Sequence, residues 1–176
     1  MTLEQLWAGW RLDYVQAASA AERATGDSGT ARGDDCIFCR IAASGPPSAD
    51  NGIVWRDELT LAVLNAFPYA SGHLLVLPVR HMSGFDELSQ NESTSLWAGT
   101  LKAMAAINAA YDPDGLNMGS NLGRAAGAGI PKHLHLHALP RWNGDTNFMT
   151  AVGQVRVLPE PLADSWSKLH EAWPAA

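Results

Sequence analysis

The stretch Pro131-Lys132-His133-Leu134-His135-Leu136-His137-Ala138-Leu139-Pro140-Arg141 carries three of the chain's six histidines, at i, i+2 and i+4. Side chains alternate along an extended strand, so the three imidazoles share one face and Leu134, Leu136 and Ala138 the other. On a helix the three would spread around the axis, with only the outer two adjacent. The alternation predicts a strand over 132–139, its apolar face on a core and its imidazole face turned to a cleft or to solvent. Neutral imidazole is a nucleophile, a proton carrier and a metal ligand near pH 7. The flanks narrow the choice. Residues 115–144 contain no Asp or Glu but include Arg124, Lys132 and Arg141, in a chain of net charge −6. That local excess predicts an anionic ligand. The run Asn121-Leu122-Gly123-Arg124-Ala125-Ala126-Gly127-Ala128-Gly129 just before the row is glycine-rich, and glycines let backbone N–H groups approach phosphate oxygens. Phosphate beside a neutral imidazole points to attack on phosphorus through a phosphoramidate. A single strand histidine is usually structural and a glycine-rich loop alone is an ordinary surface loop; their conjunction is what carries chemistry.

The only cysteines, Cys36 and Cys39, have the spacing of half a zinc site. They could also be two buried thiols or a redox couple. A thioredoxin-like couple follows a strand, whereas a Gly/Asp segment precedes this one. Two cysteines this close cannot staple a secreted scaffold. Residues 1–11 have no basic lead into a hydrophobic stretch, and no apolar run approaches the roughly 18 to 20 residues of a membrane span. With 12 Lys plus Arg against 18 Asp plus Glu, a basic face for nucleic acid or anionic lipid is not expected. The 176 residues, 47% hydrophobic, suffice for one domain with a sizeable core. A cytoplasmic location is expected.

Other elements must position these groups. Leu3, Leu6, Trp7, Trp10 and Tyr14 predict a short helix or hook over 3–15, and 17–35, without a large apolar residue, predicts a flexible linker. The domain then runs over 36–176. The apolar runs 53–55 and 59–64 predict a hairpin, and 73–79 a buried strand. Ser89-Gln90-Asn91-Glu92 has the pattern of a capping box, opening a helix that stops before Pro113. Residues 116–122 are a strand candidate. Leu162, Trp166, Leu169 and Trp173 predict a closing helix. The order is that of an α+β fold with largely antiparallel pairing.

The histidine row followed by Pro140-Arg141 resembles the signature of the histidine triad (HIT) family of nucleotide hydrolases and transferases, with a likeness from Cys36 to about Asp145. Asn65 and Gly72-His73-Leu74-Leu75-Val76-Leu77-Pro78 fit the family's first half. Residues 6–14 and 141–149 are similar to the bacterial diadenosine tetraphosphate phosphorylase-like branch. The resemblance implies an α+β fold with a five-stranded, largely antiparallel sheet, a long helix and a C-terminal helix. It implies that His135 attacks the α-phosphorus of a dinucleoside polyphosphate or related nucleotide and that His137 contacts the α-phosphate. Asn65 would face the sugar, and Asn121, Gly127, Ala128, Gly129 and Ile130 would contact phosphate. Members with the cysteine pair imply a structural zinc on Cys36, Cys39, His81 and His133. A homodimer, or a higher homo-oligomer, through the long helix and a sheet edge is also implied. Gly129 stands where many family hydrolases carry a Gln, so water and inorganic phosphate both remain as acceptors. Two other readings stay beside this one: a catalytic-zinc hydrolase, and a nucleotide-binding module with little turnover.

Overall fold

The computed structural model describes residues 36–145 and 158–175. The expected helix over 3–15 and linker over 17–35 lie outside them, as do residues 146–149 of the segment 141–149. The described elements, in chain order, are α1 (Ile37–Ala43), β1 (Ile53–Arg56), β2 (Thr60–Leu64), β3 (Leu74–Pro78), α2 (Gln90–Tyr111), β4 (Gly115–Gly119), β5 (Leu136–Arg141) and α3 (Leu162–Glu171). The strands form one sheet in the order β1-β2-β3-β5-β4, and every neighbouring pair is antiparallel. This is the α+β arrangement expected from the sequence.

Local chemistry accounts for the boundaries. Asp57 closes the β1–β2 turn by accepting the N–H groups of Leu59 and Thr60 at 2.8 and 2.7 Å, the side-chain turn that Asp favours. Ser89 and Glu92 make the reciprocal capping box of α2. The helix ends where Asp112 turns left-handed, at φ 44°, ahead of Pro113.

The sheet separates two apolar layers. On one face α2 and α3 bury Leu96, Ala103, Ile107 and Leu169 against Val54, Leu74, Val76, Leu134, Leu136 and Ala138. Gly99 brings α2 onto this face: a Cβ there would lie 3.1 Å from Thr60 Cγ2. On the other face Phe38 and Ala42 of α1 pack on Ile53, Leu61, Val63, Leu75 and Leu77. Trp166 and His170 of α3 fasten to the β1 carbonyls of Ile53 and Val54, each at 2.8 Å.

Three boundaries differ from the sequence expectation. The strand of the histidine row, β5, begins at Leu136, not at 132. Continuing the β3–β5 register would set Pro78 opposite Leu134, and Pro78 has no N–H to give the ladder. β4 stops at Gly119, so the other neighbour withdraws as well. Side-chain and loop bonds hold the gap instead: Ser120 Oγ donates to the His135 carbonyl at 2.7 Å, and the Leu134 N–H donates to the Met82 carbonyl at 2.7 Å. The second difference is that early end of β4, where the sequence suggested 116–122. The third is α1, which the sequence did not suggest. Its seven residues are too few for helical periodicity to register, and it is held by burial of Phe38 and Ala42.

Candidate functional site

The three row histidines line the α1 side of the sheet while Leu134, Leu136 and Ala138 enter the opposite core. The alternation thus survives although only His137 sits in the ladder, paired with Leu75 and Gly119. Phe38 from α1 packs against two of the rings, its centroid 5.5 Å from His133 and 5.2 Å from His135.

Each ring has a different set of partners. His133 Nε2 donates to the Pro78 carbonyl at 2.9 Å. A carbonyl only accepts, so the proton is on Nε2 and the lone pair on Nδ1. That Nδ1 faces Cys36 Sγ at 3.3 Å and Cys39 Sγ at 3.6 Å. His81 Nδ1 lies 3.3 Å from Cys39 Sγ. One ligand atom from each of Cys36, Cys39, His81 and His133 falls within 4.8 Å of the others. A tetrahedral ion with zinc-like bonds would need N···S edges of about 3.5 Å, so the four donors fit such an ion. Two sulfurs and two nitrogens complete its coordination. Burial pushes the His133 imidazole down to about 4, helped by the neighbouring His81 and His135 and opposed by the Pro78 carbonyl; a neutral ring is the form a metal needs.

His135 Nδ1 donates to the His133 carbonyl at 2.7 Å. The second nitrogen, Nε2, keeps its lone pair. Burial lowers this imidazole's pKa against the opposing pull of the same carbonyl, which favours the neutral, nucleophilic form at pH 7.

His137 Nδ1 lies 2.9 Å from Nε2 of His73, and burial, then the nearby His135, push His137 down to about 4. His73 is fully buried; its role was missed at the sequence level, where it stood at the start of a strand run and in the segment that fits the family's first half but was given no part in the site. The available signal was a polar ring inside an otherwise apolar strand, which demands a buried partner. Asn65 reaches the same place: its Oδ1 accepts the Phe67 N–H at 3.0 Å and its Nδ2 approaches His73 Nδ1 at 3.3 Å.

The glycine-rich loop folds as a 3-10 turn over Arg124–Ala126. Gly127 N–H donates to the Arg124 carbonyl at 2.8 Å and Ala128 N–H to the Gly123 carbonyl at 3.3 Å. Two of the amides expected to cradle phosphate are thus engaged within the loop; those of Gly129 and Ile130 make no such bond among the described residues. Gly129 is exposed, and a Cβ there would meet nothing within 4 Å. Asn121 is partly exposed at the start of the loop. Of the three flanking cations, Arg141 is bound by Asp145 at 2.6 and 2.7 Å and by Asn117 at 2.7 Å, so much of its charge is already neutralised.

A neutral imidazole with a free lone pair, a second imidazole beside it and a loop of small residues together suit group transfer at an anionic centre. The HIT domain family model matches residues 47–144. Over 173 residues the chain is 37% identical to a Mycobacterium tuberculosis protein named AP-4-A phosphorylase, covering 97% of this chain and 85% of that one. The crystal structure of a Zn-bound histidine triad family protein from Mycobacterium smegmatis matches with a TM-score of 0.64 at 28% identity, over 80% of this chain and 94% of that one. A hypothetical histidine triad nucleotide-binding protein from Sulfolobus tokodaii strain7 matches with a TM-score of 0.63 at 29% identity, over 78% and 91%.

Proposed function

The chain belongs to the HIT domain family, and from that premise we propose that it is a nucleotidyl-transfer enzyme acting on dinucleoside polyphosphates such as diadenosine tetraphosphate. The observation that carries this reading is the bond from His135 Nδ1 to the His133 carbonyl, which leaves Nε2 as the attacking atom. In the first step Nε2 bonds to the α-phosphorus and the bond from phosphorus to the bridging oxygen breaks, releasing the remaining polyphosphate. The positive charge that develops on the ring is shared with the His133 carbonyl. His137 contacts the α-phosphate. In the second step an acceptor oxygen bonds to phosphorus, the phosphorus–Nε2 bond breaks to return the neutral ring, and the acceptor releases its proton to solvent. Asn65, Asn121 and the segment 127–130 lie around the nucleotide.

Cys36, Cys39, His81 and His133 would hold a zinc ion, which supplies structural cross-linking of α1 to the strand ends. The complete donor set argues for that role over a catalytic one, since it reserves no coordination position for substrate. Support for a homodimer comes from Trp97 and Leu101, about half exposed one turn apart on α2, and from Met118 exposed on the edge strand β4. No helix among the described residues is long and apolar enough to cross a membrane; we place the enzyme in the cytoplasm, where the thiols stay reduced. Residues 36–176 form its catalytic unit.

The test is a product assay with diadenosine tetraphosphate, with and without inorganic phosphate. ADP plus ATP only when phosphate is present marks phosphorolysis, and AMP plus ATP without it marks hydrolysis. Binding without either product overturns the enzyme reading in favour of a binding module.

A further inference from the structure

His73, buried beside His137, has its protonation fixed by its surroundings. A backbone N–H can only donate, and that of Tyr69 points at His73 Nδ1 from 3.1 Å. Asn65 Nδ2 approaches the same nitrogen, and the amide's orientation is set because its oxygen already accepts the Phe67 N–H. His73 Nδ1 is therefore an acceptor, and the ring's proton sits on Nε2. That N–H meets His137 Nδ1 at 2.9 Å. His137 in turn must accept at Nδ1 and carry its own proton on Nε2.

The consequence is chemical. An imidazolium at His137 would need a proton on Nδ1, placing two N–H groups against each other. Relief would require His73 to move its proton to Nδ1, where the Tyr69 N–H already points. The backbone of the 65–73 turn thus sets the protonation of a side chain on β5. We propose that His73 is a positioning residue that holds His137 as the neutral Nε2–H tautomer, making His137 a hydrogen-bond donor to the transferring phosphoryl group and not an acid. Burial of His137, which disfavours its cation, acts in the same direction. Tyr69 closes over the pair, its ring nearly parallel to His137 at 5.9 Å and 4.7 Å from His73. This assignment rests on the reading of His137 as a phosphate contact, and no proton leaves either ring during the transfer.

The experiment is long-range proton–nitrogen NMR of the imidazoles in the full-length, zinc-loaded, nitrogen-15-labelled protein at neutral pH, with His137 assigned from the His137→Gln spectrum. The wild-type spectrum is expected to show His137 neutral with its proton on Nε2. His73→Leu removes the donor: His137 then shows mixed tautomers, and kcat falls roughly tenfold or more with KM changed far less, as for a buried acceptor left unpaired. His73→Gln retains an N–H at the Nε2 position and is expected to restore both the tautomer and most of the rate. A wild-type His137 that is cationic or protonated on Nδ1 overturns the proposal, as does a folded His73→Leu protein with unchanged His137 signals. Should His73→Leu fail to fold, the wild-type and His73→Gln spectra still decide. The two readings fail separately: nucleotidyl transfer fails if no nucleotide is captured on His135, whatever the spectrum, and the tautomer lock fails in the spectrum, whatever is captured.

Discussion

The Nδ1 of His135 and the carbonyl oxygen of His133 are 2.7 Å apart, so the residue two positions upstream fixes the tautomer of the candidate nucleophile. His133 Nε2 is itself bound to the Pro78 carbonyl. One residue thus supplies a side chain to the cysteine cluster and a backbone oxygen to the neighbouring imidazole. The proposed metal site and the proposed nucleophile share a backbone yet use different atoms, and substitution can separate them.

His135→Ala is expected to lower turnover by roughly a thousandfold or more while metal content and melting temperature stay close to wild type. His133→Ala and Cys39→Ala are expected to lose the metal and to melt earlier, because the remaining donors no longer close the site. Metal analysis and thermal melts of the three variants check this. A His135→Ala protein that loses its metal would contradict the separation.

Chelation should act like the ligand substitutions. Removing the ion frees α1 from the strand ends it joins, since Cys36 and Cys39 lie on or beside α1 while His81 and His133 do not. Hydrogen exchange is expected to rise first in 36–43 and 79–82. Unchanged protection there after complete metal loss would show that apolar packing of Phe38 and Ala42 suffices.

The Arg80–Glu92 pair predicts an acid-sensitive contribution. The hydrogen bond from Arg80, with those from Ser89, holds the Glu92 carboxyl down at about 2 against a usual value of 4.5. A lowered pKa contributes stability that is complete above the unfolded value and is lost as pH falls through the folded one. The gap in melting temperature between wild type and Glu92→Gln is therefore expected to be full near neutral pH and to close between about 4.5 and about 2. A gap that does not change over this range would assign the effect to helix capping alone.

Two glycines should differ in their response to alanine. Gly72 has φ +78°, and a Cβ there would lie 2.5 Å from a ring carbon of Tyr111. Gly72→Ala is expected to cost roughly 2 to 4 kcal/mol from backbone strain and overpacking, and denaturant unfolding measures it. Gly129→Ala meets no neighbour and is expected to stay within about 0.5 kcal/mol of wild type.

Much of this site could be read from residue order because its spacing is local. The period-two row placed three imidazoles on one side, and the Ser89–Glu92 pattern placed the start of α2, since both signals lie within a few residues. The resemblance supplied Cys36, Cys39, His81 and His133, which the fold does bring together. What stayed hidden depends on distant partners. His73 meets His137 across 64 positions, and α1 exists through burial against β2 and β3. The true start of β5 was set by a proline on another strand. The charge of Arg141 was misjudged because its partner, Asp145, lies one residue beyond the acid-free stretch.

The most direct measurement is rapid quenching of the zinc-loaded protein during turnover of diadenosine tetraphosphate, followed by mass spectrometry of its peptides. The peptide containing residues 133–137 should carry a nucleoside monophosphate on His135, acid-labile as a phosphorus–nitrogen bond is. Turnover with no nucleotide captured on any residue, or with the nucleotide captured on a different side chain, would contradict the assignment of His135 as the attacking group.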